Sequence, residues 1–322
     1  MRKKVIVGLF IAVILLVGLS INRLPEYSKI AKSTPEESVE SFTMISTGDV
    51  GLGRYVNYMI HLNNDPTYPF TNVANYTQNA DLTIISLENP LIENCPIVVT
   101  GFKFCGKDTN VEGLLYAGVD AANLANNHTT NYGHSGLEET VRVLKEGGIK
   151  GYGLDNSIEY IELKGHQIAL IGFVELGNNW AGLNNASEEN ILDLIGEANA
   201  KADIVIVSFH WGNEYTHTPS EAQVRLGRLA VDIGADIVLG NHAHWIQPYE
   251  IYKDKFIIYA QGNTVFDQDW SQKTKEGVLY KFKYNSGAFE LIDKKYTVIE
   301  NNAQPRFAAT DETNRIGSYL VN

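Results

Sequence analysis

Short apolar runs that end directly on metal-ligand residue types recur along this chain, and that recurrence limits what it can fold into more than any other feature. The last of them, Val238-Leu-Gly-Asn-His-Ala-His244, sets two imidazoles two residues apart, just past a stretch that reads as a buried strand. Side chains at i and i+2 of an extended segment point the same way, so His242 and His244 are expected to face one site. Gly240 is expected to let the backbone turn there without a Cβ penalty.

The same pattern recurs at four other strand ends. Phe42-Thr-Met-Ile-Ser leads to Asp49, and Leu82-Thr-Ile-Ile-Ser-Leu87 leads to Glu88. The run from Val119 to Ala125 leads to Asn127 and His128, and Asp203-Ile-Val-Ile-Val-Ser-Phe209 leads to His210. Two further apolar strands are expected at Gln167–Phe173 and Phe256–Tyr259, with helices at Gly136–Glu146 and from a Ser220 cap to about Ile233. Apolar strands alternating with helices indicate a largely parallel sheet covered on its faces. Past Gly277 the pattern changes to runs at 278–282, 288–292 and 295–299, expected to form a late antiparallel set.

In a parallel sheet the loops after the strands share one edge, which is where ligands bind. Five strand ends carrying Asp, Glu, Asn and His therefore point to a metal site. Imidazoles with carboxylate and amide oxygens suit zinc, manganese or iron, and the absence of thiolates argues against a structural zinc. The donors exceed the needs of one ion, whereas a pair bridged by one carboxylate would use them all.

The 322 residues carry a formal net charge of -12, which excludes a protein that tracks nucleic-acid phosphates. An acidic surface also repels a polyanionic substrate unless bound cations intervene. Met-Arg-Lys-Lys followed by an uncharged apolar run, Val5 to Ile21, reads as a membrane anchor over residues 1–22, with a cleaved signal peptide as the alternative. Both readings export the domain; the anchor reading keeps the basic N-terminus cytoplasmic and gives the expected location, the cell membrane, single-pass, with the C-terminal domain extracellular. Residues 23–41 read as a linker, 42–300 as the folded domain and 301–322 as a polar tail. Cys95 and Cys105 can close a small disulfide loop outside the cytosol; two reduced thiols are the alternative.

Six motifs carry a family resemblance: Gly48-Asp-Val-Gly-Leu-Gly-Arg54, Ser86-Leu-Glu88, Ala125-Asn-Asn-His128, His210-Trp-Gly-Asn-Glu214, Gly240-Asn-His-Ala-His244 and Gly262-Asn-Thr-Val-Phe-Asp267. In this order they resemble the CapA family of capsule and poly-γ-glutamate synthesis proteins, which in turn resembles the calcineurin-like metallophosphoesterases. The resemblance implies a four-layer α/β/β/α sandwich of the metallo-dependent phosphatase type, with one or two divalent transition-metal ions at the strand ends. It makes Glu88 the bridging carboxylate, with Asp49 and His244 on one ion and Asn127, His210 and His242 on the other. His128 would protonate a leaving group, and Arg54 and Glu214 would bind substrate at the rim, Arg54 as a fork for an anion.

Three positions depart from the phosphoesterase pattern. Gly51 stands where a metal-binding histidine is usual, Ser86 where an asparagine precedes Leu-Glu, and Asn131 where an aspartate follows the Asn-His pair. His134 and His217 have no counterpart and are expected at the surface. Two functions follow as expectations. One is an anchored component of capsule or poly-γ-glutamate synthesis or export that grips an anionic polymer and docks to membrane subunits of the synthesis complex. The other is a metal-dependent phosphoesterase or other hydrolase acting on an unrelated extracellular substrate. No nucleic-acid partner is expected.

Overall fold

Strands buried on both faces account for the apolar runs. In the computed structural model, which describes residues 40–177 and 179–320, the strands of the main path are β1 (Phe42–Val50), β2 (Leu82–Leu87), β3 (Leu91–Ile92), β4 (Gly106–Lys107), β5 (Ala121–Asn123), β6 (Lys150–Tyr152), β7 (Glu159–Leu163), β8 (His166–Glu175), β9 (Ile204–Trp211) and β10 (Ile237–Asn241). The C-terminal part adds β11 (Ile246–Tyr252), β12 (Lys255–Gln261), β13 (Asn263–Val265), β14 (Glu276–Asn285), β15 (Ala288–Glu300) and β16 (Gln304–Phe307). The expected anchor at 1–22 and nearly all of the linker lie outside the described residues; among the described residues no helix is long and apolar enough to cross a membrane.

Two sheets form. One has the order β16-β15-β14-β1-β2-β5-β6, with β13 pairing β1; the other runs β11-β12-β10-β9-β8-β7. β1, β2, β5 and β6 are mutually parallel, as are β8, β9, β10 and β12. Alternation along each strand divides its side chains between two cores. Ile168 and Leu170 enter the core shared with Met44, Ile84, Ile206 and Leu239 between the sheets. Ala169, Ile171 and Phe173 face the opposite way, onto helices α5 (Glu188–Lys201) and α6 (Glu221–Ile233), through Ile195 and Ala230.

The outer face of the first sheet is covered in the same manner. Ile85 and Leu87 pack with Val56 and Ile60 of α1 (Arg54–Asn63), Leu114 of α3 (Val111–Tyr116) and Leu144 of α4 (Gly133–Glu146). A single turn, α2 (Ala74–Thr77), precedes β2. Helix, sheet, sheet, helix is therefore the layer order, an α/β architecture in which a strand with no polar face has no exposed side.

The Ser220 cap is present: its hydroxyl accepts from the Gln223 backbone N–H while the Gln223 side chain returns to the Ser220 N–H. Ser220→Ala leaves one orphan donor at the start of α6 and is expected to cost about 1 kcal/mol in a denaturant titration. A cost near zero would mean that solvent replaces the cap.

The segment expected to be a polar tail past 300 belongs to the domain. It supplies β16, which pairs β15, and α7 (Thr310–Gly317), whose Ile316 is fully buried in the inter-sheet core. Polar neighbours hid these elements; Arg306 is absorbed by ion pairs with Glu300 and Glu312. The runs expected at 288–292 and 295–299 are one continuous strand, β15, against β14.

Candidate metal centre

The two sheets bring different chemistry to one seam. The first supplies carboxylates: Asp49 near the end of β1 and Glu88 immediately after β2. The second supplies imidazoles: His210 in β9, and His242 and His244 just past β10. The seam is closed by the His242 backbone N–H donating to Asp49 Oδ2 at 3.1 Å and by Asn241 Nδ2 donating to the Thr47 carbonyl at 3.4 Å.

His242 and His244 do converge, but not by strand alternation. β10 ends at Asn241, and the two histidines have φ of 93° and 54°, in the left-handed region that non-glycine residues avoid. Such strain persists only where the surroundings impose it. Gly240 likewise makes no turn: it lies within β10, where a Cβ would come 2.2 Å from the Tyr259 carbonyl oxygen.

The donor atoms form one compact cluster. Single ligand atoms from Glu88, His242 and His244, and again from Asp49, Glu88 and His210, lie within 4.8 Å of one another, and Glu88 is common to both sets. His244 Nε2 is 3.7 Å and His210 Nε2 3.9 Å from Glu88 Oε1, while His210 Nδ1 is 3.9 Å from Asp49 Oδ1. Asn127 Oδ1 lies 2.9 Å from His210 Nε2, and His242 Nδ1 lies 3.1 Å from it.

These residues fit a divalent cation on three counts. Asp49, Glu88 and His210 have no exposed surface, so their polar atoms must be satisfied internally. Yet both oxygens of Glu88, Asp49 Oδ1 and His210 Nδ1 have no hydrogen-bond partner. The set of oxygens and imidazole nitrogens, without thiolates, suits a divalent transition-metal ion.

Electrostatics agree. Burial pushes the Glu88 carboxyl well above its usual range, Asp49 adds to the rise, and His244 opposes it. Burial works against a charged His244, but the Glu88 and Asp49 carboxylates outweigh it and push the ring up to about 9. Burial and the neighbouring His244 hold His242 down to about 3, and burial with His242 holds His210 well below the usual range, so both are neutral donors at pH 7. The His244 proton stands in for a cation. Metal must displace it, so apparent affinity is expected to rise about tenfold per pH unit, per displaced proton, between pH 6 and 8. Titrations in matched buffers check this; a pH-independent affinity would mean that His244 is not a ligand.

His128 lies beside the cluster, its Nε2 3.8 Å from Glu88 Oε1. Burial, then His244 and Arg54, depress it to about 4, so it is a neutral imidazole at pH 7. Asn131 does support it: its Nδ2 faces the Phe102 and Phe104 carbonyls at 3.2 and 3.3 Å and His128 Nδ1 at 3.1 Å. The Phe104 ring packs on the His128 ring at 4.4 Å, placed there by the loop that the Cys95–Cys105 disulfide closes.

The rim differs from expectation. Arg54 is no free fork, because Asp267 takes up its guanidinium, with Nε 3.0 Å from each carboxylate oxygen. Asp267 also accepts the Tyr55 N–H at the start of α1, so the pair fixes that helix to the centre. Glu214 is exposed, close enough to influence Glu88 and His244. Ser86 Oγ is buried without a partner. His134 is exposed as expected; His217 is not a plain surface residue, since its ring stacks on Tyr319 at 4.1 Å and meets the Ile246 carbonyl at 2.7 Å.

At Gly51 the Phe266 ring fills the place of a side chain: a Cβ there would lie 2.7 Å from Phe266 Cε2. Sequence reasoning gave Phe266, Asn263, Asp267 and Phe104 no role, although the first three stand in the Gly262–Asp267 motif. What they touch is fixed by tertiary packing.

With this geometry in place, residues 43–268 match the family model described as bacterial capsule synthesis protein PGA_cap. The chain belongs to that family. This PGA_cap protein is 30% identical over 304 residues to the capsule biosynthesis protein CapA of Bacillus anthracis, covering 88% of this chain and 73% of the relative. It is 31% identical over 285 residues to the PGA biosynthesis protein CapA of Bacillus subtilis (strain 168), covering 80% and 73%. Among solved structures, a phosphatase from Mycoplasma pneumoniae superposes with a TM-score of 0.54 at 16% identity, over 81% of this chain and 94% of that one. At that identity the likeness concerns the fold alone, and it agrees with the mixed α/β architecture described above.

Proposed function

We propose that this PGA_cap protein is a membrane-anchored extracellular component of capsule or poly-γ-glutamate synthesis or export, built around a divalent metal centre that engages an anionic polymer. The observation that carries this reading is the buried Glu88 carboxylate, both oxygens unpartnered, at the centre of three imidazoles and Asp49. The naming of the two Bacillus relatives for capsule and PGA biosynthesis supports the polymer. The basic N-terminus, the apolar run behind it and the Cys95–Cys105 disulfide support the exported location. Docking of the anchor to membrane subunits of the synthesis complex completes the proposal.

The chain's net charge of -12 sets the physical problem. A polyanion approaching it is repelled, and a cation held by Asp49, Glu88, Asn127, His210, His242 and His244 reverses that at one place. A bound divalent ion also supplies Lewis acidity and, at neutral pH, an activated water. His128 presents a neutral ring beside the cluster, and an anionic group arriving there raises its proton affinity. That arrangement favours hydrolysis as the second reading: a metal-dependent phosphoesterase or other hydrolase with His128 as the proton donor.

The test uses the full chain purified in detergent without chelators. His242→Ala is expected to keep the fold and lose metal in elemental analysis. It should also lose at least about tenfold in poly-γ-glutamate retention. Retention that persists in both the variant and a chelator-treated wild type would remove the metal from the polymer reading. Turnover of phosphate esters by the wild type, lost in His242→Ala and His128→Ala, would put the hydrolase first.

A further inference from the structure

We infer that Asn263 is a positioning residue that fixes His244 in the tautomer presenting Nε2 to the metal. The inference rests on the metal-centre reading and starts from backbone register. β13 pairs with β1 in parallel, with Asn263 opposite Asp49. The Asp49 N–H donates to the Gly262 carbonyl at 2.9 Å, and the approach is so close that a Cβ on Gly48 would fall 2.2 Å from that oxygen. The Asn263 side chain is thereby delivered, fully buried, behind the donor cluster.

Its amide orientation is decided by chemistry. One end lies 2.8 Å from the Thr274 carbonyl and 3.1 Å from Gln268 Oε1. A backbone carbonyl only accepts, so the end facing it is the NH2 group, with both hydrogens used. Thr274 is itself held, fully buried, with its hydroxyl donating to the Gln268 carbonyl at 2.8 Å. The amide cannot flip without setting two oxygens against each other.

Oδ1 is then forced toward His244 Nδ1, 2.8 Å away. An amide oxygen cannot donate, so Nδ1 must carry the hydrogen. Asp49 Oδ2, 3.5 Å from the same nitrogen, is also an acceptor and favours the same arrangement. Once metal displaces the second ring proton, the lone pair is left on Nε2, the atom facing Glu88 Oε1 at 3.7 Å. Outer partners of this kind set ring orientation and ligand basicity, and losing one typically weakens metal binding about 10–100-fold.

The experiment compares zinc affinity, by chelator competition on the full chain, in wild type, Asn263→Ala and Asn263→Asp, with the metal-free Tm of each. Asn263→Ala is expected to bind zinc about 10–100-fold more weakly. Asn263→Asp keeps an acceptor for Nδ1–H but turns its second oxygen to the Thr274 carbonyl. It should recover zinc affinity relative to Asn263→Ala while its Tm stays low. In 15N-histidine spectra of the zinc-loaded protein, His244 Nδ1 should carry a proton in wild type and Asn263→Asp. Zinc affinity unchanged in Asn263→Ala, or affinities that simply follow Tm across the three proteins, would overturn the inference while leaving the metal centre intact. A wild type that binds no zinc would overturn both.

Discussion

Replacing Glu88 with glutamine is expected to make the metal-free protein more stable while removing its stabilisation by metal. Glu88 has no exposed surface, neither oxygen has a partner, and Asp49 is a second carboxylate in the same cluster. An unpaired polar group in such a place costs about 1–3 kcal/mol, more when charged. Glutamine keeps the shape and removes the cost of a carboxyl whose ionisation burial disfavours, a gain that outweighs the lost attraction to His244, so the metal-free variant should gain about 1–3 kcal/mol.

With metal the order reverses. A ligand at a hundred times its dissociation constant stabilises a protein by about 2.7 kcal/mol, and glutamine supplies no carboxylate to hold it. Paired thermal scans with and without zinc or manganese check this. The wild type should shift upward by several degrees and Glu88→Gln should not shift. A variant that still responds to metal would locate the ion elsewhere.

Restoring the histidine that phosphoesterases carry, Gly51→His, is expected to destabilise the protein and add no second ion. The Phe266 ring lies against Gly51, packs on His244 at 5.0 Å and on Phe104 at 6.5 Å, and has the Arg54 guanidinium 5.4 Å from its centroid. It is almost fully buried. Overpacking of this kind costs about 1–3 kcal/mol. Asp49, Glu88, His210, His242 and His244 share one compact cluster around Glu88, and the wall beside Gly51 is an aromatic ring, which leaves no nitrogen there for a second ion.

Elemental analysis should therefore find about one tightly held ion per chain in both wild type and Gly51→His. A second ion should require Phe266→Ala in the same chain, a change that itself costs about 3–5 kcal/mol. Two ions in Gly51→His alone would mean that Phe266 does not guard the position.

Legibility in the sequence followed locality. β2 was readable to the residue, and Ser220 marked the start of α6, because strand periodicity and capping are properties of neighbours in the chain. β16 and α7 escaped because one buried apolar residue in a polar segment has no period to detect. The six residues that meet at the seam were readable by type and order after apolar runs. Their supports were not: Arg54 looked like a fork for substrate until Asp267, 213 positions away, was found holding it.

What the sequence by itself determined is the alternation of doubly buried strands with helices, the placing of Asp49, Glu88, Asn127, His210, His242 and His244 after apolar runs, and the absent histidine at Gly51. Side-chain chemistry and short-range period decide those. Only the tertiary structure decided that carboxylates come from one sheet and imidazoles from the other, that His242 and His244 converge through left-handed turns, and that Phe266 fills the space above Gly51. Asn263, oriented by the Thr274 carbonyl, completes the set. Each of these depends on atoms distant in the chain being pressed together by burial, and no local pattern encodes which atoms those will be.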